Sequence, residues 1–283
     1  MPTLNRAAAL TLVLGCALAT TACGGGHGER KPAAAPSRSA PAPSASPAAT
    51  PIPTLPPKAD GTTPVFAHGA RGAKRIALTF DADMTADQGA RAARGERFDN
   101  PQLIATLRRL KVPATIFMTG KWADQYPEEA RSIGADPLFE VANHSYSHHA
   151  FASPCYGLPK VAAGSARDDV ERASDAFRRA GVQHTVPYFR FPGGCYNDSV
   201  LKALGPVQVT AVQWDVVSGD AFARHAGPVA DEVLAKARPG SVVVMHCTHS
   251  AAPATEEAVR TIVPRLRARG YRLVRVSDLI GGR

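Results

Sequence analysis

From residue 75 onward, short and nearly continuous apolar runs alternate with longer segments in which apolar residues recur every three or four positions. A short apolar run bounded by turn-forming residues is the pattern of a strand buried on both faces, whereas the wider spacing marks one face of a helix. Strands are therefore expected over 75–80 (RIALTF), 114–118 (ATIFM), 139–142, 188–191, 208–214, 242–245 and 271–276. A helix is expected over 100–110, where Asn-Pro opens the segment and Leu103, Leu107 and Leu110 share a face. Others are expected over 121–133, over 165–180 with a Ser165/Asp168 cap and Val170, Ala173 and Phe177 inward, and over 229–237 and 256–269. Alternation of this kind argues for a mostly parallel sheet, open or closed. About seven units suit a distorted (β/α)7-like barrel with parallel strands, smaller than the eight-unit type, with its chemistry at the carboxyl ends of the strands.

The first 63 residues break this pattern. Arg6 is followed by an uncharged apolar run over 7–18 and then small residues up to Cys23, the layout of an export signal and too short for a convincing membrane span. Thr20-Thr21-Ala22-Cys23 resembles the site at which a signal is cut before a lipid-bearing cysteine, with Thr20 where that motif has Leu; Cys16 is the rival. Residues 31–57 are almost entirely Pro, Ala, Ser and Thr, a composition that buries little apolar area and favours an extended path. The expected organisation is a signal over 1–22, a lipidated Cys23 and tether over 23–63, and a catalytic domain over 64–283, anchored to the outer face of the plasma membrane.

Charge adds to this picture. A formal net charge of +9 and a pI near 9.6 favour contact with acidic material. Given an export signal, anionic lipid or cell-wall polymer fits better than nucleic acid, which is not expected as a partner.

Polar residues gather after the expected strands. Asp81 and Asp83 follow the first, His144 and His148 the third, and Arg190, Asp215 with Asp220, and His246 follow later ones. Residues two apart in extended chain share a face, so the two aspartates would repel unless a cation or a base role separates them. Two histidines four apart can reach one metal if their segment turns helically, and a carboxylate with two histidines is a catalytic metal pattern. His149 reads as a solvated neighbour. Arg190, inside PYFRFP, needs a carboxylate such as Asp81 or Asp220.

Over roughly residues 75–276 this set resembles the polysaccharide deacetylases of carbohydrate esterase family 4. That family's Thr-Phe-Asp-Asp-Gly is similar to Thr79-Phe80-Asp81-Ala82-Asp83, and its His-Ser/Thr-x-x-His is matched by His144, Ser145 and His148. Its Arg-x-Pro-Tyr is met by Arg190, Phe191 and Pro192, with Gly193 in place of Tyr; its Asp-Trp aligns with Asp220-Ala221 and its Leu-x-His with Val244-Met245-His246.

The resemblance implies a divalent metal, expected to be Zn²⁺, and a hydrolase that removes N-acetyl groups from a glycan such as peptidoglycan. Asp81 takes the place of the family's base. The family's metal-binding aspartate falls on Ala82, so Asp83 is expected to join His144 and His148 as ligand. His246 would be the acid, held by Asp220; Arg190 would orient Asp81, Gly193 would donate to the oxyanion and Val244 would line the acetyl pocket. Cys155 and Cys195, on loops following these motifs, are the favoured disulfide, leaving Cys247 over. A monomer is expected. The alternatives are deacetylation of O-acetyl esters and a non-catalytic glycan-binding lipoprotein with a decayed metal site.

Overall fold

The computed structural model describes residues 51–282. The signal, Cys23 and most of the expected tether lie outside the described residues. Nine strands occur among those residues: β1 (Val65–Phe66), β2 (Arg75–Ala82), β3 (Ala114–Met118), β4 (Phe139–Asn143), β5 (Thr185–Phe189), β6 (Thr210–Val212), β7 (Val216–Val217), β8 (Val242–His246) and β9 (Arg272–Leu273). They pair in parallel in the order β1-β6-β5-β4-β3-β2-β8-β7, with β9 added to β2.

That order forces the sheet to curl. β6 lies beside one edge strand and β7 forms the other edge, yet only residues 213–215 separate them in sequence. Val212 and Val216, four residues apart, can be separated by at most about 14 Å, so the two ends of the sheet come close together. Asp215 ties the seam, accepting from the Val242 N–H at 2.8 Å and from Arg71 at 2.8 Å. The result is the curled parallel half-barrel of a distorted (β/α)7-like fold.

Strand alternation divides the side chains between two cores. On β2, Ile76, Leu78, Phe80 and Ala82 face the helical layer, whereas Ala77 lies in the cluster with Phe117, Ala142 and Val242 inside the curl. Thr79 and Asp81 share the inner face with Ala77. The closed end of the curl is plugged by a helix, Val276–Ile280, at the C-terminus. Glu140 accepts there from Thr115 Oγ1 at 2.7 Å and from Ser277 N–H at 3.1 Å, and burial pushes its pKa up. The open end carries the strand termini.

Helices pack outside: α1 (Gln88–Ala92), α2 (Pro101–Arg109), α3 (Gly120–Gln125), α4 (Pro127–Gly134), α5 (Ala166–Ala180), α6 (Asp198–Ala203), α7 (Ala226–Lys236), α8 (Thr255–Ala268) and α9, the plug. At α2 the Asn100 side chain accepts from the Leu103 N–H and Pro101 occupies the first turn, as the sequence indicated.

Several expectations change. The helix expected over 121–133 breaks into α3 and α4 at Tyr126-Pro127, because proline brings no N–H and restricts the residue before it. Ser165 makes no side-chain cap at α5. The strand expected over 208–214 shortens to β6, and the one over 271–276 yields β9 and then turns into α9. Within residues 51–63, assigned to the tether, several positions lie against the domain. Leu55 N–H donates to Thr210 Oγ1 at 3.0 Å, Tyr188 donates to the Pro53 carbonyl at 2.6 Å, and Thr62 and Thr63 are buried. Leu55 supplies the apolar contact that a Pro/Ala/Ser reading overlooks.

Candidate active site

Parallel register puts Asp81 of β2 directly opposite His246 of β8. Two residues on, Thr248 Oγ1 donates to Asp83 Oδ1 at 2.5 Å. The same-face placement of Asp81 and Asp83 is thus a product of strand alternation. Ala82, between them, points into the helical core and is fully buried.

Asp81 is 4% exposed and is clamped by Arg190, whose Nη1 donates to Oδ1 at 2.6 Å. Arg190 is completely buried just beyond β5. Its Nε donates to the Val212 carbonyl at 3.2 Å, and its guanidinium lies 3.8 Å from the Phe117 ring centroid and 5.4 Å from that of Trp214. Burial lowers its pKa, and the Asp81 charge opposes that fall. A buried arginine is tolerable here because carboxylate, carbonyl and ring faces replace its water.

His144 and His148 do come together, with ring centroids 5.1 Å apart, but their segment is not helical. Ser145 and His148 both take left-handed backbone, φ 69° and 57°. The loop is held from outside: Asn143 Oδ1 accepts from the Ser145 N–H at 2.8 Å and Ser145 Oγ from the His148 N–H at 3.0 Å. Asp169 of α5 accepts from the Ser147 hydroxyl at 3.1 Å and from the N–H groups of Tyr146 and Ser147. No sequence signal linked Asp169 to this loop.

The donor set can be tested against a cation. His144 Nδ1 lies 2.9 Å from the Arg190 carbonyl oxygen and so carries the proton, leaving Nε2 with a lone pair. That lone pair faces Asp81 Oδ2 at 3.7 Å, and His148 Nε2 faces Asp83 Oδ2 at 3.5 Å. Burial pushes both imidazole pKa values down, His148 to about 4, although the carboxylates pull the other way. For Asp83, burial acts to raise the pKa, but His148, His246, the Thr248 hydroxyl and His144 outweigh it and the value is lowered. The His144 Nε2 lone pair facing a carboxylate oxygen leaves two acceptors face to face, an arrangement a divalent cation can satisfy. Among the described residues no group of three or more such side chains stands close enough together to hold a metal ion.

His246 is held differently. Its Nδ1 lies 2.8 Å from Asp220 Oδ1 and its backbone N–H donates to Oδ2 at 2.7 Å. Ser218 Oγ and Thr255 Oγ1 donate to the same carboxylate at 2.9 and 2.7 Å. Burial would lower the His246 pKa, but Asp220, with Asp83 and Asp81 further off, raises it to about 10. A histidine unfolded near 6.5 and folded near 10 gives stability that is complete below about 6.5 and lost as pH rises through about 10. The metal-free domain should therefore melt progressively lower between those limits, and His246→Asn should flatten that slope. Equal slopes would show that the Asp220–His246 pair is not the source.

Val244 lies on the inner face one step before His246 and is buried. Gly193 sits in the turn after Arg190 with φ 63°, and a Cβ there would come within 2.6 Å of Cys155 Sγ, so only glycine fits. Cys155 and Cys195 form the disulfide, and Cys247 is buried with its thiol pKa pushed up by burial.

A curled parallel sheet whose open end gathers two carboxylates, two histidines and an aspartate-held histidine is the frame of the carbohydrate-esterase class. The polysaccharide deacetylase signature matches residues 68–212, and the chain belongs to that family. A chitooligosaccharide deacetylase of Sinorhizobium fredii is 31% identical over 185 residues, 60% of this chain and 80% of that protein. The peptidoglycan-N-acetylglucosamine deacetylase PgdA of Listeria monocytogenes is 29% identical over 213 residues, 75% of this chain but 40% of that longer protein. A solved family 4 pseudoenzyme from Bacillus anthracis superposes with TM-score 0.61 at 25% identity, covering 76% of this chain and 68% of that one. The family match ends before Asp220 and His246, which the sequence already named and which the fold places beside Asp81.

Proposed function

We propose that this chain is an exported, metal-dependent hydrolase that removes N-acetyl groups from an N-acetylglucosamine-containing glycan, peptidoglycan being the nearest such polymer. The observation that carries this reading is the pairing of two neutral, buried histidines with two carboxylates beside a histidine held protonated by Asp220. It rests on the deacetylase relatives for the substrate class.

Asp83, His144 and His148 would hold the cation, Zn²⁺ by the nature of the donors, which when bound supplies Lewis-acid chemistry that makes water acidic near neutral pH. Asp81, aimed by Arg190, takes the proton from the attacking water. The oxygen adds to the acetyl carbonyl carbon, and the backbone N–H of Gly193 donates to the oxyanion. His246 gives its proton to the nitrogen as the C–N bond breaks, so acetate and a free sugar amine leave. Val244 lines the position of the acetyl methyl. Lipidation of Cys23 would hold this monomeric domain at the outer face of the plasma membrane, where its basic charge favours an anionic wall.

Ala82 and the resemblance to a pseudoenzyme favour a second reading, a non-catalytic glycan-binding lipoprotein. Metal content separates the two. The wild type should hold about one zinc per chain, and His144→Ala and His148→Ala should each lose most of it, since losing one of a few ligands removes much of the affinity. Equal metal in all three proteins would remove the catalytic reading. A panel of acetylated substrates then tests the bond: free amine should appear from N-acetylated glycan, whereas acetate from O-acetyl xylan alone would make the chain an esterase.

A further inference from the structure

The net charge of +9 is not spread evenly over the molecule. Several exposed arginines on the helices stand beside a carboxylate: Arg91 with Glu96, Arg167 with Glu171, Arg178 with Asp175 and Arg179 with Asp124. Cations at the closed end of the curl, where the parallel strands begin, bond instead to backbone carbonyls. Lys74, just before β2, donates to the Arg269 carbonyl at 3.0 Å, and Arg75, which opens β2, to that of Asp278 at 3.4 Å. Arg267 donates to the carbonyls of Leu110 and Lys111 at 2.8 and 3.1 Å, just before β3. A carbonyl oxygen accepts the hydrogen bond but carries no formal charge, so the positive charge is not neutralised.

The same contacts join these cations into one face. Arg272, exposed at the start of β9, is the register partner of Arg75, and its N–H donates to the Lys74 carbonyl at 2.8 Å. Like charges side by side on neighbouring strands are destabilising. Arg238, also exposed, lies two residues before Gly240, whose N–H donates to the Arg75 carbonyl at 2.7 Å. Carboxylates beside these cations are already engaged: Asp215 by Arg71 and Asp278 by Arg275, while Glu140 is buried with its pKa pushed up by burial. Helix carbonyl ends attract cations, which accounts for Arg267 at the end of α8; strand starts carry no such field, so Lys74, Arg75 and Arg272 need another reason.

The N-terminal stem reaches the fold at this same end. Leu55 N–H donates to Thr210 Oγ1 at the start of β6, and Leu55 packs in the inner cluster with Ile280 of the plug. Residues 1–50, Cys23 among them, precede it in the chain.

We propose that the basic face at the closed end docks on the headgroups of anionic phospholipid, so that the open end and its catalytic residues point away from the membrane. The inference goes beyond the hydrolase reading and does not depend on turnover. A few such cations suffice when a tether already keeps the domain close to the surface.

The test is co-sedimentation of the full chain carrying Cys23→Ser, which has no attached lipid, with vesicles of phosphatidylcholine alone or mixed with phosphatidylglycerol. Phosphatidylglycerol should tighten binding and added salt should weaken it. Arg238→Gln with Arg272→Gln should lower affinity for the mixed vesicles by roughly 25-fold, about fivefold for each charge near an anionic surface. Arg167→Gln with Arg178→Gln removes the same charge from α5 and should lower it far less. Equal losses in the two double variants would show that net charge alone is felt, and would overturn the docking face. Binding indifferent to phosphatidylglycerol would overturn it too, as would capture by inorganic polyphosphate with none by vesicles, which would make the face a site for anionic polymer.

Discussion

Asp81→Asn is expected to keep its metal and to lose turnover by about 10²–10⁴-fold, the usual scale for a missing general base. The two aspartates occupy neighbouring positions on one face but have different partners. Asp81 meets a buried guanidinium at 2.6 Å, which fixes its orientation. Asp83 meets only a neutral hydroxyl, from Thr248, and faces His148 with its other oxygen. A carboxylate tied to arginine shares its charge already and is the poorer ligand; one held by a hydroxyl retains charge for a cation. Asp83→Asn should accordingly lose metal affinity first, with activity partly regained at high zinc. If Asp81→Asn sheds the metal while Asp83→Asn holds it, the two roles are exchanged.

Arg190→Leu is expected to be strongly destabilising, by about 3–5 kcal/mol, because it leaves the Asp81 charge buried without its partner. For a domain of this size that corresponds to a melting temperature lower by roughly 10 °C. Arg190→Leu with Asp81→Leu should recover most of the loss, since an apolar pair of similar volume replaces the ion pair at little cost. Arg190→Lys should recover less, because an ammonium cannot stack flat between Phe117 and Trp214 while reaching both Asp81 and the Val212 carbonyl. A singly substituted Arg190→Leu that melts with the wild type would mean that Asp81 is neutral in the fold.

Much of this architecture was legible because its signals are local. The β3 apolar run 114–118, bounded by Pro113 and Thr119, emerges with the expected limits. The Asn100-Pro101 start of α2 likewise encodes its own cap. Asp81 and Asp83 followed from strand periodicity alone, and Thr248, two residues past His246 on the same face, carried the same signal unread. Other features depend on contacts between distant segments. The histidine loop takes its shape from Asp169, which lies 22 positions beyond Ser147 and belongs to no periodic pattern with it. The left-handed residues Ser145 and His148 are held by Asn143 Oδ1 and Ser145 Oγ, bonds that the four-residue spacing of the histidines does not announce. The curl of the sheet depends on β6, next to the β1 edge, and β7, at the other edge, being joined by a short link, which no single segment announces.

The most direct test is a zinc titration of the metal-stripped chain, with acetate release from an N-acetylglucosamine oligomer followed at each addition. A deacetylase built on Asp83, His144 and His148 should gain activity in proportion to zinc and level off near one equivalent, releasing one amine per acetate. Oligomer binding with no acetate at any zinc level would contradict it and leave a glycan-binding protein in the deacetylase fold.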